Sequence, residues 1–324
     1  MSDRYELHSA IVLFILVNFI SSVLSSNLVV MTFNIWESGN NVADGLNKIV
    51  SHIKAVNPDV AALQEVRDHE VMQELLEKLG TDWSGCLRNA DYPDTGIVTR
   101  HTLLTDSVAQ AAAGIGAKIK LKCSPYTIHV WNLHLDYKSY GPYAANNKLV
   151  TSRDQILAGE YGSYRRFSNI RDLLTNNNFK QALDDVDKVP LIVCGDFNSP
   201  SHLDWTYETR DLHGGWTFEY PATSILQRET GLTDSYRDLH NDSRSDPGVT
   251  WSTVDKMTPA GWNWTIPEPQ DRIDFIFYMK NSLVAVNSTT YQGSNPVNPR
   301  PYHQNNDYPS DHYAVVTTFE FVQF

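Results

Sequence analysis

The sequence predicts a single α/β domain in which two packed, mixed β-sheets are flanked by helices. Runs rich in Val, Ile, Phe and Tyr recur along the chain with turn residues between them, as strands do. Amphipathic helical periodicity alternates with these runs in the first half, and a strand-rich half follows. The candidate site residues are spread from residue 34 to residue 312, so a single site draws on nearly the whole chain. No linker that would separate two domains is evident in the sequence. We therefore expect one domain over residues 27–324.

The individual elements follow from these patterns. Nine segments are predicted to be strands: residues 27–33, 60–64, 96–99, 117–121, 126–133, 189–193, 273–278, 282–291 and 314–321. Three segments are predicted to be helices: residues 42–56, 71–79 and 155–176. In the first helix Leu46, Ile49 and Ile53 share one face, and the pair Asn57-Pro58 is a stop signal. The turn-rich stretch 200–261 is expected to form long loops.

Composition and the N-terminus bear on where the protein acts. The formal charge is −12 and the pI is near 5.3, which argues against tight non-specific binding to nucleic acid but not against a nuclease with a bound metal. Residues 10–24 form an apolar run that is short for a membrane span, so we expect residues 1–26 to be a signal peptide, with an N-terminal anchor as the alternative. Sequons at Asn241, Asn263 and Asn287 favour a secreted glycoprotein.

The three cysteines leave one question open. Cys194 lies inside an apolar run and is expected to be a buried thiol. Cys86 and Cys123 could form a disulfide in an oxidising compartment, because secreted proteins retain such bonds.

Six short segments each place acidic, amide or imidazole groups at the end of an apolar run, where they add nothing to packing. The groups are Asn34, Glu65, His134, Asp196, Asn198, Asp274, Asp311 and His312. Carboxylates and amides are suitable ligands for Mg²⁺, with Mn²⁺ or Ca²⁺ as alternatives. Together with two histidines they suit a divalent metal and a phosphate ester. Motifs for zinc, for Walker-type nucleotide binding and for the α/β-hydrolase nucleophile are absent from the sequence.

Each group has a chemical reason for its place. Glu65 follows a buried strand and suits a hard cation, with the Asn34 amide as a neutral neighbour. Asp196 and Asn198 are two residues apart, so in extended chain they face one way and could align a water molecule for attack on phosphorus. Asp274 could orient His312. The rival interpretations are a solvated Glu for Glu65 and an Asx turn for the Asp-x-Asn pair.

Three further residues are candidates for substrate binding. Arg272 alternates with apolar residues ahead of Asp274, and a plain salt bridge to Asp271 or Asp274 is its rival interpretation. Trp262 and Trp264 would face one way if their loop is extended, and could stack on a base or sugar. Packing against the core is the alternative for both indoles.

In this order, the segments resemble the endonuclease/exonuclease/phosphatase superfamily, which includes deoxyribonuclease I-like enzymes, neutral sphingomyelinases and inositol-polyphosphate 5-phosphatases. The Gly195–Asn198 and Ser310–His312 segments carry the resemblance most strongly. It implies a four-layer α/β sandwich in which Asn34 and Glu65 hold Mg²⁺ and Asp311 lies close to it. It also implies that His134 contacts the phosphate, Asp196 activates water, Asn198 positions it, and Asp274 orients His312.

The predicted function is that of a secreted, Mg²⁺-dependent phosphoesterase acting on phosphodiesters, either nucleic acid or a smaller ester. The alternatives are a sphingomyelinase-like lipid phosphodiesterase, a phosphoinositide phosphatase and a catalytically silent binding domain. A silent domain would be expected to lack one of the acids or histidines, and none is missing here. Nothing indicates a protein partner, and we expect a monomer.

Overall fold

The computed structural model describes residues 27–258 and 263–322. Within these ranges the strands are β1 (Leu28–Asn34), β2 (Val60–Val66), β3 (Ser84–Leu87), β4 (Asp94–Thr99), β5 (Thr102–Ala111), β6 (Gly114–Lys120), β7 (Thr127–His134), β8 (Leu191–Asp196), β9 (Thr233–Asp234), β10 (Asp274–Tyr278), β11 (Leu283–Tyr291) and β12 (Ala314–Phe321). The first sheet has the order β11-β12-β1-β2-β4-β3, and the second has the order β5-β6-β7-β8-β10-β9.

The helices lie on the outer faces of the two sheets and in the loops at one end. They are α1 (Gly45–Val56), α2 (His69–Leu79), α3 (Gly141–Asn146), α4 (Arg153–Leu157), α5 (Arg166–Thr175), α6 (Asn177–Asp184), α7 (Pro221–Thr230) and α8 (Ser235–Leu239), with 3₁₀ turns at Glu37–Gly39, Arg210–His213 and His303–Asn305. As predicted, α1 ends before Asn57, which adopts a left-handed conformation. The Asp68 carboxylate caps α2 by accepting a hydrogen bond from the amide of Val71.

Three apolar clusters hold the layers together. Alternate residues of β1 face opposite ways, so Leu28 and Val30 enter the cluster between the sheets while Met31 and Phe33 pack against α1 and α2. The second sheet does the same, with its outer face packed against α5, α6 and α7. The result is the predicted four-layer arrangement of helices, sheet, sheet and helices.

Strand directions bring many chain positions to one edge of the sandwich. In each sheet one central pair is parallel, β1 with β2 and β7 with β8, so the carboxyl ends of these four strands share an edge. The neighbours β4, β10 and β12 are antiparallel to them and therefore begin at that same edge.

Just inside this edge, two buried amides join the sheets. The side-chain amide of Gln64 on β2 donates to Asn132 Oδ1 on β7 at 2.6 Å. Asn132 Nδ2 in turn donates to the carbonyl oxygens of Leu63 and Gly96, both at 2.8 Å. Because buried amides must be hydrogen-bonded, these contacts fix how the two sheets are seated on each other.

The structure corrects several predicted elements. The helix expected over residues 155–176 is broken into α4 and α5 by a segment in which Gly162 and Tyr164 have positive φ. The strands β3, β5 and β9 were not predicted. The stretch 200–261 contains α7 and α8 as well as loops.

The cysteines and the N-terminal run have different outcomes. All three cysteines are free thiols, with Cys194 buried as predicted and the Cys86–Cys123 pairing not formed. The apolar run over residues 10–24 lies outside the described residues, so the predicted leader stays a prediction. Among the residues that the structure describes, no helix is both long enough and apolar enough to cross a bilayer.

Candidate active site

Alternate residues of each central strand face the space between the sheets, and the site residues occupy the last such position at the end of the strand. Ile192 and Cys194 of β8 lie in the cluster between the sheets, and Asp196 is the next residue on that face. Val30 of β1 precedes Asn34 on the same face, and Ile276 of β10 follows Asp274. The periodicity that buries apolar side chains therefore also directs these polar ends into one shared space.

A β-bulge at Glu65 and a glycine at position 195 modify this alternation of side chains locally. The pairing of β2 with β4 shifts register between Gln64 and Val66, and Glu65 in between has a φ of 64°. This bulge re-aims Glu65 so that its Oε1 accepts a hydrogen bond from Asn34 Nδ2 at 3.1 Å. Gly195 has a φ of 139°, and a Cβ there would lie 1.9 Å from the carbonyl oxygen of Leu133. Only glycine lets β8 approach β7 this closely before Asp196.

Asp196 is the centre of the site, and its side chain is 1% exposed. Its Oδ2 accepts a hydrogen bond from Asn34 Nδ2 at 3.1 Å. The same oxygen lies 3.5 Å from His134 Nε2 and 3.6 Å from His312 Nε2. Asn198, in a left-handed conformation, donates its backbone amide to Asp196 Oδ1 at 2.8 Å. The predicted amide and both predicted imidazoles thus all contact the predicted base, Asp196.

Each imidazole is held by its own carboxylate. His312 Nδ1 lies 2.9 Å from Asp274 Oδ2, as the sequence predicted. His134 Nδ1 lies 2.8 Å from Asp94 Oδ1, a partner that was not predicted. Each acid fixes the ring so that Nε2 faces Asp196.

These pairs also set the charge of the site. Burial favours the neutral imidazoles, but the neighbouring carboxylates outweigh it and raise the pKa of each ring to about 10. Both rings are therefore cationic at neutral pH. Burial raises the pKa of Asp196, although the imidazolium of His312 opposes that effect. Two cationic rings suit an anionic substrate, and the buried Asp196 carboxylate can accept a proton from a water molecule that attacks it.

The donor set also fits a divalent cation. Asp311 Oδ1 is buried without a hydrogen-bond partner among the described residues, and burial raises the Asp311 pKa well above its usual range. Glu65 Oε2 accepts only the backbone amide of Glu37 in the described structure, at 2.6 Å. Glu65 and Asp311 repel each other, so an ion near both would neutralise them. Glu65 and Asp311 are therefore the residues that could hold a divalent cation.

Two details differ from the predicted ligand set. Asn34 Oδ1 accepts a hydrogen bond from the backbone amide of Trp36 at 3.0 Å, and its nitrogen faces the carboxylates. In this arrangement Asn34 orients Glu65 and Asp196, whereas the prediction had it offering an oxygen to the metal. Asp196, Asp274 and His312 are also close enough together to hold an ion. The 2.9 Å contact between Asp274 and His312 marks that group as an acid–imidazole pair instead.

These groups line a cavity of about 690 Å³ with an aromatic wall. Tyr140 and Tyr143 contribute to it from the start of α3, and Trp251 tilts against the ring of His312 with centroids 4.7 Å apart. Arg300 lies over the Trp36 ring and pairs with Asp255. The site can therefore hold a phosphate at its acidic and imidazole end and a planar or apolar group beside it.

Comparison with known proteins agrees with this geometry. The sequence profile of the endonuclease/exonuclease/phosphatase family matches residues 31–312. The chain belongs to this family. Its members hydrolyse phosphate esters and depend on divalent metals, so the chain is a hydrolase of phosphate ester bonds.

Several individual proteins are similar to this chain in sequence or in structure. An uncharacterized protein from Caenorhabditis elegans is 48% identical over 92% of this chain and 93% of its own length. Nocturnin from Homo sapiens is 27% identical over 85% of this chain, which spans 57% of nocturnin's length. The structure of the human nocturnin catalytic domain with bound sulfate is similar, with a TM-score of 0.55, 21% identity and coverage of 92% of this chain and 98% of that one. An AP endonuclease from Archaeoglobus fulgidus has a TM-score of 0.54, 15% identity and coverage of 90% and 99%.

The prediction that Arg272 binds the substrate is wrong. Arg272 is 2% exposed, and its guanidinium is bound by Asp204 and Asp234, with Nη1 only 2.6 Å from Asp234 Oδ2. Because its guanidinium is paired with two carboxylates and does not line the active-site cavity, Arg272 is structural. The alternative prediction of a salt bridge is correct, but the partners are Asp204 and Asp234, whereas Asp271 or Asp274 was predicted.

The tryptophan pair has a divided outcome. Trp262 lies outside the described residues. Trp264 is 46% exposed and does not line the active-site cavity. Asn263 and Trp264 both have positive φ, so this part of the loop is a turn and the extended conformation assumed in the prediction is wrong. The exposure of Trp264 also excludes packing against the core.

Three positioning groups escaped the sequence prediction. Asp94 orients His134, as described above. Ser310 Oγ donates to the Asn34 carbonyl oxygen at 2.6 Å and accepts from the His312 amide at 3.0 Å. Thr250 Oγ1 accepts from the amide of Asp274 at 3.1 Å. Asp94 alone carried a usable signal, because it stands just before the apolar run of β4.

Proposed function

We propose that the chain is a secreted, Mg²⁺-dependent phosphodiesterase acting on nucleic acid or a smaller soluble diester. The observation that supports it best is the convergence of His134 and His312 on Asp196, with each imidazole held by a carboxylate. The two imidazolium rings would hold the oxygens of one phosphate. Asp196 would accept the proton of the attacking water.

The remaining groups complete the proposed reaction. Asn198 would orient the water molecule, and His134 would return a proton to the departing oxygen. Glu65 and Asp311 would hold Mg²⁺, which supplies positive charge to the phosphoryl group. Burial raises the pKa of Asp196, which makes it a stronger base than an exposed aspartate.

The preference for a nucleic-acid-like diester rests on relatives and on the aromatic wall of the cavity. A similar structure, TDP2 from D. rerio, holds a single-stranded DNA product, and another is an AP endonuclease. Tyr140, Tyr143 and Trp251 offer faces on which a base could stack. The net charge of −12 disfavours binding to an anionic bilayer, so a lipid substrate is the second choice.

Secretion is proposed from the sequence and from exposure. The asparagines of the three sequons, Asn241, Asn263 and Asn287, are all exposed, so a glycan at any of them would reach solvent. Expression in a eukaryotic secretory host tests this, since a glycosidase should reduce the mass of protein recovered from the medium. Unglycosylated protein that stays inside the cells would contradict secretion.

The activity is tested with purified protein on bis(p-nitrophenyl) phosphate, DNA and sphingomyelin, each with Mg²⁺ and with a chelator. Turnover should be sensitive to chelator and should fall by about 10²–10⁴-fold in Asp196→Asn. Asp106→Asn is the matched control, because Asp106 is exposed on β5. Equal rates in the two variants, or turnover that persists in chelator, would refute the proposal.

A further inference from the structure

A groove of about 570 Å³ adjoins the active-site cavity. Four residues line both spaces: Glu37, Glu65, His134 and Tyr137. The rest of the groove is formed by the loop between β3 and β4, the turn between β5 and β6, and residues between the end of β7 and α5. We call this space the tyrosine groove; its lining residues are 37, 65, 88, 92, 94, 112, 113, 134–137, 164 and 169.

His134 lies at the junction of the two spaces. Its Nδ1 contacts Asp94, which lines the groove but not the active-site cavity. Its Nε2 faces Asp196, which lines the active-site cavity but not the groove. Because the two ester oxygens of a diester leave phosphorus in different directions, a phosphate bound at His134 can direct one substituent into each space.

Exposed tyrosines are concentrated in the groove. Six tyrosines are exposed among the described residues, and three of them, Tyr92, Tyr137 and Tyr164, line it. Their exposed fractions are 42%, 68% and 84%. Single exposed aromatic side chains are ordinary, but a group of them beside an active site indicates a surface that binds a ligand.

Nothing in the described fold accounts for the position of Tyr164. Its side chain forms no hydrogen bond, ion pair or ring contact with another described residue. Its φ is 66°, a backbone conformation that is costly for a bulky residue. A tyrosine that costs backbone energy and is left in solvent contributes little to folding, so its ring is available for a bound molecule.

The charges of the groove are already paired. Asp136 binds Arg165 Nη1 at 2.8 Å, and the Glu37 carboxylate lies 3.9 Å from Arg67 Nε. The guanidinium of Arg88 donates to three backbone carbonyl oxygens, at 3.0, 3.1 and 3.3 Å. These acids therefore do not exclude an anionic substrate, and the exposed tyrosine rings are left to contact it.

We propose that the tyrosine groove is a second substrate subsite, which holds an unpaired nucleobase on the His134 side of the scissile phosphate. This inference rests on the proposed function, in which the site hydrolyses a diester. A tyrosine face stacks on any base, because every base has a π-face. The bases of a duplex are already stacked on one another, so single-stranded nucleic acid is the substrate that fits the groove.

Fluorescence anisotropy with a labelled oligothymidylate measures binding without appreciable turnover in the Asp196→Asn variant, with Mg²⁺ present. Adding Tyr164→Ala should weaken binding by roughly fivefold to a hundredfold, as expected for the loss of one stacked base. Tyr164→Phe keeps the ring and should retain the parent affinity. Tyr302→Ala is the matched control, because Tyr302 is 76% exposed and lines neither space.

With Asp196 intact, Tyr164→Ala should raise KM on the oligothymidylate more than it lowers kcat. Binding that depends on Tyr164 supports the subsite even if no substrate is turned over, a result that would refute the proposed function alone. Equal affinities in Tyr164→Ala and Tyr302→Ala would overturn the subsite. Absence of binding to the single strand, or equal affinity for its duplex form, would also overturn it.

Discussion

The pairing of His134 with Asp94 gives the sharpest test of the site. Several carboxylates raise the pKa of His134 from 6.5 to about 10 against the effect of burial. At about 1.4 kcal/mol per pKa unit, that difference corresponds to roughly 5 kcal/mol in favour of the cation. Asp94 contributes through both its charge and the 2.8 Å hydrogen bond, whereas Asp196 lies 3.5 Å from the ring. Asp94 therefore supplies the largest favourable share.

Asp94→Asn should lower the pKa of His134 and release the ring from its fixed orientation. Because the protonated ring is the active form, the alkaline limb of the pH–rate profile should shift to lower pH. The kcat should fall by about 10²-fold or more, as expected for losing an oriented general acid. Initial rates on bis(p-nitrophenyl) phosphate across the pH range measure both effects.

Asp106→Asn is again the control and should leave the profile unchanged. A variant Asp94→Asn that folds with a wild-type melting temperature, keeps its kcat within a few-fold and has an unmoved alkaline limb would refute the role of this pair. The same result would remove the argument that His134 is cationic in the working enzyme.

Three further predictions concern the metal, the fold and the substrate. Glu65→Ala should raise the Mg²⁺ concentration needed for half-maximal rate, and an unchanged metal titration would show that Glu65 is not a ligand. Asp59 is buried, yet its hydrogen-bonded partners, Arg100 among them at 2.7 Å, lower its pKa below 3.8. Its stabilising effect is thus present above that pH and is lost as pH falls through the folded value. Asp59→Asn should cost about 2 kcal/mol near neutral pH and less in acid, which urea titrations at the two pH values measure, and an equal cost at both would contradict the linkage. Because Trp264 is exposed in a turn and does not line the active-site cavity, Trp264→Ala should leave KM on DNA and on a small aryl diester unchanged, and a raised KM on DNA alone would show that this loop contacts a long substrate.

Much of the site was predictable because one periodicity produces it. A strand with alternate residues buried must carry its last inward residue, such as Asn34 or Asp196, toward the same space as its apolar neighbours. A polar residue at the end of a buried run is therefore a good candidate for a site residue. The same holds for Asp274, which begins its strand.

The parts that were missed depend on information that is not local. Asp94 stands at the start of β4, and only the antiparallel pairing with β2 brings that start to the site. Arg272 alternates like a site residue, but its partners Asp204 and Asp234 lie far away in the chain and become neighbours only in the folded protein. Only two of the ten residues of the edge strand β5 are buried, so the strand has little apolar pattern by which to be predicted.

The buried amides that join the sheets have a consequence for how the enzyme tolerates change. One sheet carries Asn34 and Glu65, the other carries His134 and Asp196, and neither half is complete alone. The rate of catalysis therefore depends on how accurately the two sheets are positioned relative to each other. A substitution that changes side-chain volume between the sheets should shift one sheet relative to the other and so displace the catalytic groups. A substitution of equal size under the outer helices should instead be accommodated by a shift of those helices. Two substitutions of equal cost in stability would thus differ widely in activity, according to which side of a sheet they occupy.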